Sequence, residues 1–220
     1  MKKIVVIAAA GVGSRLGFGM PKCLVEVKGH RIFEYQLEAL DWADEIRMVV
    51  GYHADEVVKQ VSAYNPNVKF VHNKEYSTTN LRQSYFLGAQ GIAEKALFLD
   101  GDTIISKSTS SMFCKEYEAG QDFIAVVKTL SDNPIYAGVQ DGKVQWFSYE
   151  RQSEYELANA AFMAAERLEY INTLFYIQLE KYLPTKAIPV DSLEIDTPVD
   201  LDYAQKMIAE HPEEYDFWRR

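Results

Sequence analysis

The first twenty-two residues constrain this chain most. An apolar run, Ile4-Val5-Val6-Ile7, empties into Ala8-Ala9-Ala10-Gly11-Val12-Gly13-Ser14-Arg15-Leu16-Gly17 and closes on Pro21-Lys22. Four consecutive β-branched residues fit a strand buried on both faces, and the small residues after them let backbone N–H groups approach a ligand closely. Phosphate suits such a loop. Arg15 adds a planar fork that can hold two oxygens and Lys22 a mobile point charge, a pairing that suits a triphosphate. Three other patterns fit less well or not at all. In a dinucleotide Gly-x-Gly-x-x-Gly loop the third glycine comes one residue before Gly17, and neither Arg15 nor Lys22 has a use. A Walker loop needs Gly-Lys-Ser/Thr opening a helix, whereas Lys22 is followed by Cys23-Leu24. A signal peptide needs a longer apolar run than the one between Lys3 and Arg15.

A chain of 220 residues can bury one substantial α/β core, and no stretch reads as an interdomain linker, so residues 1–220 are expected to form a single domain. No apolar segment approaches the roughly 20 residues that span a bilayer, and a cytoplasmic location is expected. Cys23 and Cys114 are too few for a disulfide framework and lack metal-ligand spacing. The net charge of −9 argues against nucleic-acid binding, which needs a basic face. Residues 1–31 nevertheless hold Lys2, Lys3, Arg15, Lys22, Lys28 and Arg31 against Glu26 alone, so positive charge gathers around the loop on an otherwise acidic body. Small anionic substrates fit that distribution.

Downstream, apolar spacing predicts a helix from Ile32 to Leu40, a strand Ile46–Val50, a helix Asp55–Tyr64 and a strand Val68–Val71. Thr79 or Asn80 can cap a helix running to about Ala93, and Ala96-Leu97-Phe98-Leu99 then delivers Asp100-Gly101-Asp102. This alternation predicts a Rossmann-like three-layer α/β sandwich whose central sheet is mostly parallel. Ligands on such sheets bind at the carboxyl ends of the strands, which puts the glycine loop and the aspartate pair on one edge. Beyond it, a strand Phe123–Lys128 and a hairpin of Tyr136–Val139 with Lys143–Ser148 make the sheet mixed. A helix from Arg167 to Leu179, a strand Ala187–Val190 and a last helix from Val199 complete the reading, with Glu213–Arg220 as uncommitted surface.

Asp100 and Asp102 could be a turn that satisfies its own backbone. After a buried strand and beside a phosphate loop they can equally serve Mg²⁺, which is held by one or two carboxylates plus substrate phosphates. Glu194 and Asp196 form a second pair, although Asp196 has the position of a helix N-cap.

Taken together, Ala8-Ala9-Ala10-Gly11-x-Gly13-Ser14-Arg15 through Pro21-Lys22, Asp100-Gly101-Asp102 and Glu194-Ile195-Asp196-Thr197-Pro198 resemble the nucleotidyltransferases that join an NTP to a sugar phosphate or alcohol phosphate. The compact cytidylyltransferases acting on phosphocholine and similar phosphates are the most similar members, because Asn80-Leu81-Arg82-Gln83-Ser84 resembles their Asn-x-x-x-Ser helix start. Asn159-Ala160-Ala161-Phe162-Met163-Ala164 stands where the sugar-specific enzymes carry a glycine-rich stretch. The resemblance implies a nucleotide half to about residue 105 and an acceptor half after it. It also implies Lys22 and Arg15 as catalytic, with Ala8, Ala10, Gly11, Gly13, Ser14, Asn80, Ser84 and Asp100 on the nucleotide and Mg²⁺ on Asp102, Glu194 and Asp196. The expected partners are an NTP, CTP foremost, and a small phosphate monoester, with UTP or dTTP and a sugar 1-phosphate as the alternative. A non-catalytic nucleotide-binding subunit is the rival of a different class. For the acceptor, Trp146, Tyr149 and Glu150 are the expected cage around an amino-alcohol cation.

Overall fold

The computed structural model describes residues 2–218. In chain order the elements are β1 (Ile4–Ala9), β2 (Glu26–Val27), β3 (His30–Arg31), α1 (Ile32–Ala39), β4 (Glu45–Val50), α2 (Ala54–Tyr64), β5 (Lys69–His72), α3 (Leu81–Ala89), β6 (Lys95–Asp100) and β7 (Thr103–Ile105). They continue as α4 (Lys107–Ala119), β8 (Phe123–Lys128), β9 (Tyr136–Gln140), β10 (Lys143–Ser148), β11 (Tyr155–Ala164), α5 (Phe175–Glu180), β12 (Thr185–Pro189), β13 (Ser192–Glu194), α6 (Pro198–Glu210) and α7 (Pro212–Tyr215). Among the described residues one sheet of nine strands runs β5-β4-β1-β6-β11-β8-β12-β10-β9. The first four are parallel, β11 is antiparallel to both of its neighbours, and β9 pairs back onto β11, so the last five strands close into a ring.

The apolar run of β1 shows why the sheet is covered on both sides. Val5, Ile7 and Ala9 belong to one buried cluster with Phe33 and Leu37 of α1, Val57 and Val61 of α2, and Phe113 and Tyr117 of α4. Val6 and Ala10 face the opposite cluster with Tyr85 and Ala89 of α3 and Phe175 and Leu179 of α5. Strand residues alternate sides, so a continuous apolar strand requires helices on both faces, and the three-layer expectation holds. A third, smaller cluster joins Leu16, Val25, Val27, Ile32, Tyr35, Ile104, Leu193, Ile195, Ala204, Ile208 and Tyr215. It gathers the segments that carry Arg15, Lys22, Asp102 and Asp196 onto one apolar support.

Several expectations need correction. The helix after Asn80 ends at Ala89 rather than Ala93, because Gly91 turns the chain at φ +73°. Of the helix expected over 167–179 only Phe175–Glu180 forms. Residues 168–174 are instead drawn onto the guanidinium of Arg82, which is 1% exposed and bonds Thr173, Glu169 and Gln178. The apolar spacing predicts neither α4 nor β11. The C-terminal segment is not uncommitted surface: Tyr215 is buried, and Trp218 stacks on His30 with ring centroids 3.4 Å apart. Arg219 and Arg220 lie outside the described residues.

Candidate active site

At the carboxyl ends of β1 and β6 lies a cleft of about 350 Å³, lined by Ala8, Ala10, Gly11, Gly13, Ser14, Arg15, Lys22, Asn80, Ser84, Asp100, Asp102, Glu194 and Asp196. These are all the residues the sequence assigned to nucleotide, metal and catalysis. The loop after β1 turns through Gly13 at φ +64° and Gly17 at φ +76° on either side of a 3-10 turn at Ser14–Leu16. Leu16 anchors that turn in the small core, leaving the Arg15 side chain 70% exposed. A Cβ on Gly13 would lie 2.7 Å from Cγ of Lys22, so the lysine stem runs directly along the loop backbone.

Asp100 ends β6, and Gly101 N–H donates to the Ala8 carbonyl at 2.9 Å. A Cβ on Gly101 would meet that carbonyl oxygen and the Ala9 backbone within 2.8 Å, so only glycine allows this crossing. Gln36 of α1, fully buried, donates through Nε2 to the carbonyls of Asp100 and Thr103 at 2.6 and 2.9 Å and fixes both sides of the turn. β7 then pairs antiparallel with β13, and Ile195 N–H donates to the Asp102 carbonyl at 3.0 Å. This short ladder brings the distant Glu194 and Asp196 beside Asp102.

Asp196 is not the helix cap. Thr197 holds that position and its side chain accepts from Asp200 N–H, while the Asp200 carboxylate accepts from the backbone N–H groups of Asp196 and Thr197 at 3.1 and 2.8 Å. The Asp196 side chain is thereby left for the cleft, where Oδ2 pairs with Arg15 at 2.6 Å and Oδ1 with the Lys22 ammonium. Lys22 also reaches Asp102 Oδ2 at 2.6 Å. Burial alone would lower the Lys22 pKa, but Asp102 and Asp196 more than offset it and hold the ammonium above the ordinary lysine value.

Carboxylate oxygens of Asp102, Glu194 and Asp196 lie within 4.8 Å of one another. Although Glu194 is open to the cleft, the protein packed around it and the charges of Asp102 and Asp196 push its pKa up to about 8. Asp100 is raised well above the usual carboxylate range by burial, then by Asp102 and Glu194, and accepts from the Tyr85 hydroxyl at 2.8 Å. Asp102 Oδ1 is buried with no hydrogen-bond partner among the described residues. An orphaned carboxylate oxygen within a cluster of three hard oxygen donors fits a divalent cation such as Mg²⁺.

The facing wall was only partly foreseen. Asn73, Tyr76, Thr79 and Asn159 line the cleft beside Asn80 and Ser84. Buried Asn73 donates to the hydroxyls of Thr79 and Ser84 at 2.9 and 3.1 Å, and Asn80 caps α3 while its amide donates to the Thr173 carbonyl at 2.8 Å. Asn159 sits at φ +46° where β11 slips register between Leu157 and Ala161, a kink that sets it into the cleft. Trp146, Tyr149 and Glu150 do not line it. The Arg151 guanidinium carbon lies 4.1 Å from the Trp146 ring centroid, so that face already holds a cation, and Tyr149 packs edge-on against Tyr176. The three residues expected as a cage therefore stand apart from this cleft, with the Trp146 face occupied by Arg151.

A mixed sheet of this order, with a glycine-rich loop after β1 and an acidic edge beside it, has the fold of solved nucleotidyltransferases. A sequence profile of the MobA-like NTP transferase domain matches residues 5–167, and the chain belongs to that family. It is 37% identical over 106 residues to a CTP:phosphoglutamine cytidylyltransferase of Campylobacter jejuni, a match covering 46% of this chain and 41% of that protein. The matched stretch is thus less than half of that relative's length. Among solved structures, a CTP:phosphocholine cytidylyltransferase of Streptococcus pneumoniae superposes with a TM-score of 0.79 at 21% identity, covering 94% of this chain and all of the other. An inositol-1-phosphate CTP transferase of T. maritima gives 0.73 at 18% identity, covering 94% and 96%.

Proposed function

We propose that this protein transfers CMP from CTP to a small phosphate monoester and releases pyrophosphate. The observation that carries the reading is the convergence of Lys22 and Arg15 with Asp102, Glu194 and Asp196 on one glycine-loop cleft. The base assignment is supported by the CTP-specific names of a sequence relative and of two structural neighbours.

The chemistry follows from charge. A phosphate monoester is largely a dianion at neutral pH, its second pKa being about 6, so no side chain has to deprotonate it. One of its oxygens forms a bond to the α-phosphorus while the bond from that phosphorus to the bridging oxygen of the β-phosphate breaks, and pyrophosphate leaves with the electron pair. The loop N–H groups hold and align the triphosphate, Lys22 neutralises charge developing at the α-phosphate, and exposed Arg15 closes on the outer phosphates. Asp102 and Asp196, with Glu194 beside them, would hold Mg²⁺, which supplies Lewis-acid neutralisation of the phosphate oxygens.

For the acceptor we keep a phosphorylated alcohol or amino alcohol. Because the cleft wall presents amides and hydroxyls from Asn73, Thr79, Asn80, Ser84 and Asn159, a hydroxyl-rich sugar 1-phosphate with UTP or dTTP is the second reading. Pyrophosphate release from CTP, UTP, dTTP, ATP and GTP, each against phosphocholine, phosphoethanolamine, glycerol phosphate and glucose 1-phosphate, separates them. Turnover is expected with CTP and an alcohol or amino-alcohol phosphate. Preference for UTP or dTTP with glucose 1-phosphate moves the protein to the second reading. Nucleotide binding without turnover for any pair makes it a non-catalytic subunit.

A further inference from the structure

We infer that Lys22 is the resident counter-cation of the Asp102–Asp196 pair, and that a divalent cation gains full access to these carboxylates only when a nucleoside triphosphate draws the ammonium away. This rests on the reading of Asp102, Glu194 and Asp196 as the group that holds the metal. The geometry is specific. The Lys22 ammonium bridges Asp102 Oδ2 and Asp196 Oδ1, Arg15 takes Asp196 Oδ2, and of these four oxygens only Asp102 Oδ1 has no partner among the described residues. A cation that takes Asp102 Oδ2 and Asp196 Oδ1 therefore has to displace Lys22, since two positive charges on the same oxygens repel.

Lys22 is also built to leave. Its stem lies along Gly13 of the phosphate loop, so the ammonium can pivot toward loop-bound phosphate oxygens while the stem keeps its packing. Neighbouring Cys23 and Leu24 are buried, which holds the pivot in place. Triphosphate oxygens offer the ammonium an alternative anionic partner, and in moving to them it uncovers the carboxylates. Metal and nucleotide binding are then positively coupled, and reciprocally so. The same device shields the acidic edge from stray divalent cations when no nucleotide is present.

The test is Mn²⁺ binding, read from the electron paramagnetic resonance signal of the free ion, in the nucleotide-free protein and with a non-hydrolysable α,β-methylene analogue of CTP. Lys22→Met is expected to bind Mn²⁺ alone at least about tenfold more tightly than wild type, a change of about 1.4 kcal/mol. Lys22→Arg, which keeps the charge, should stay near wild type. The analogue should raise Mn²⁺ affinity strongly in wild type and much less in Lys22→Met. Equal nucleotide-free affinity in wild type and Lys22→Met overturns the inference.

Asp102→Asn and Asp196→Asn in the Lys22→Met background separate this failure from that of the underlying reading. If they leave Mn²⁺ binding unchanged, the metal assignment itself is wrong. If they abolish it while Lys22→Met binds no more tightly than wild type, only the counter-cation role falls. A measurement on unmutated protein stands apart from any folding defect: the ¹⁵Nζ resonance of Lys22 should be insensitive to Mg²⁺ alone and shift with analogue plus Mg²⁺. A shift with Mg²⁺ alone refutes the coupling.

Discussion

Replacing Asp200 with alanine tests whether the start of α6 orients the site or merely caps a helix. The Asp200 carboxylate accepts from Asp196 N–H at 3.1 Å, from Thr197 N–H at 2.8 Å and from the Thr197 hydroxyl at 2.9 Å. A hydrogen bond to a charged group contributes about 1.5–3 kcal/mol and a helix cap about 1 kcal/mol, but the three share one acceptor and are partly exposed. A combined loss of about 2 kcal/mol is therefore expected, which for a chain of this length lowers Tm by roughly 4–8 °C. Thr197→Ala removes the cap and the hydroxyl bond yet leaves Asp200 holding Asp196 N–H, so it should cost similar stability. The two variants differ in activity. Asp200→Ala frees the backbone behind the Asp196 carboxylate and should lower kcat by about tenfold or more, in keeping with the sensitivity of catalysis to small misplacements. Thr197→Ala should change kcat less than about threefold, a difference of well under 1 kcal/mol. Thermal melts and steady-state kinetics on both variants decide it. Equal losses of kcat, or an unchanged kcat in Asp200→Ala, would refute the positioning argument.

Other consequences are more direct. Gly101→Ala forces a Cβ against the Ala8 carbonyl and Ala9 backbone, so it should cost about 1–3 kcal/mol in a urea melt and remove nearly all turnover by separating Asp100 from Asp102. Glu45 bonds Lys2, Arg47 and Lys69; burial would raise its pKa, but these three cations pull it down to about 2. A depressed carboxylate stabilises the fold above its unfolded value of about 4.5, and the contribution is lost as pH falls from there through about 2. The Tm gap between wild type and Glu45→Gln should therefore be constant at neutral pH and close across that window; a gap that widens on acidification would contradict the assignment. Trp146→Ala should lower stability while leaving the acceptor KM within about twofold, and a large rise in that KM would restore the aromatic cage.

The glycine loop, the Pro-Lys pair and the aspartates after an apolar strand were readable because each pairs a local conformation with a chemical group. Helix α4 is not legible in the sequence because its inward positions include Thr109 and Ser110, so its apolar stripe is thin. Strand β11 is rich in alanine and interrupted at Asn159, which hides its alternation. Asp200 was available in the Thr197-Pro198-Val199-Asp200 capping pattern, whereas Gln36 sits in an apolar helical spacing that carries no sign of its carbonyl partners. The misplaced cage has a different cause. Aromatics clustered in sequence say nothing about what covers their faces, and Arg151 covers that of Trp146.

Metal-assisted nucleotidyl transfer in this cleft is tested most directly by where the α-phosphate of the nucleotide goes. CTP labelled with ³²P at the α position, incubated with Mg²⁺ and the acceptor panel, should transfer its label to an acceptor-linked CDP product with one pyrophosphate released per product formed. EDTA and Asp196→Asn should each abolish that transfer. Label that remains in CTP with every acceptor, or transfer that persists in Asp196→Asn, would contradict the assignment of this cleft to metal-assisted nucleotidyl transfer.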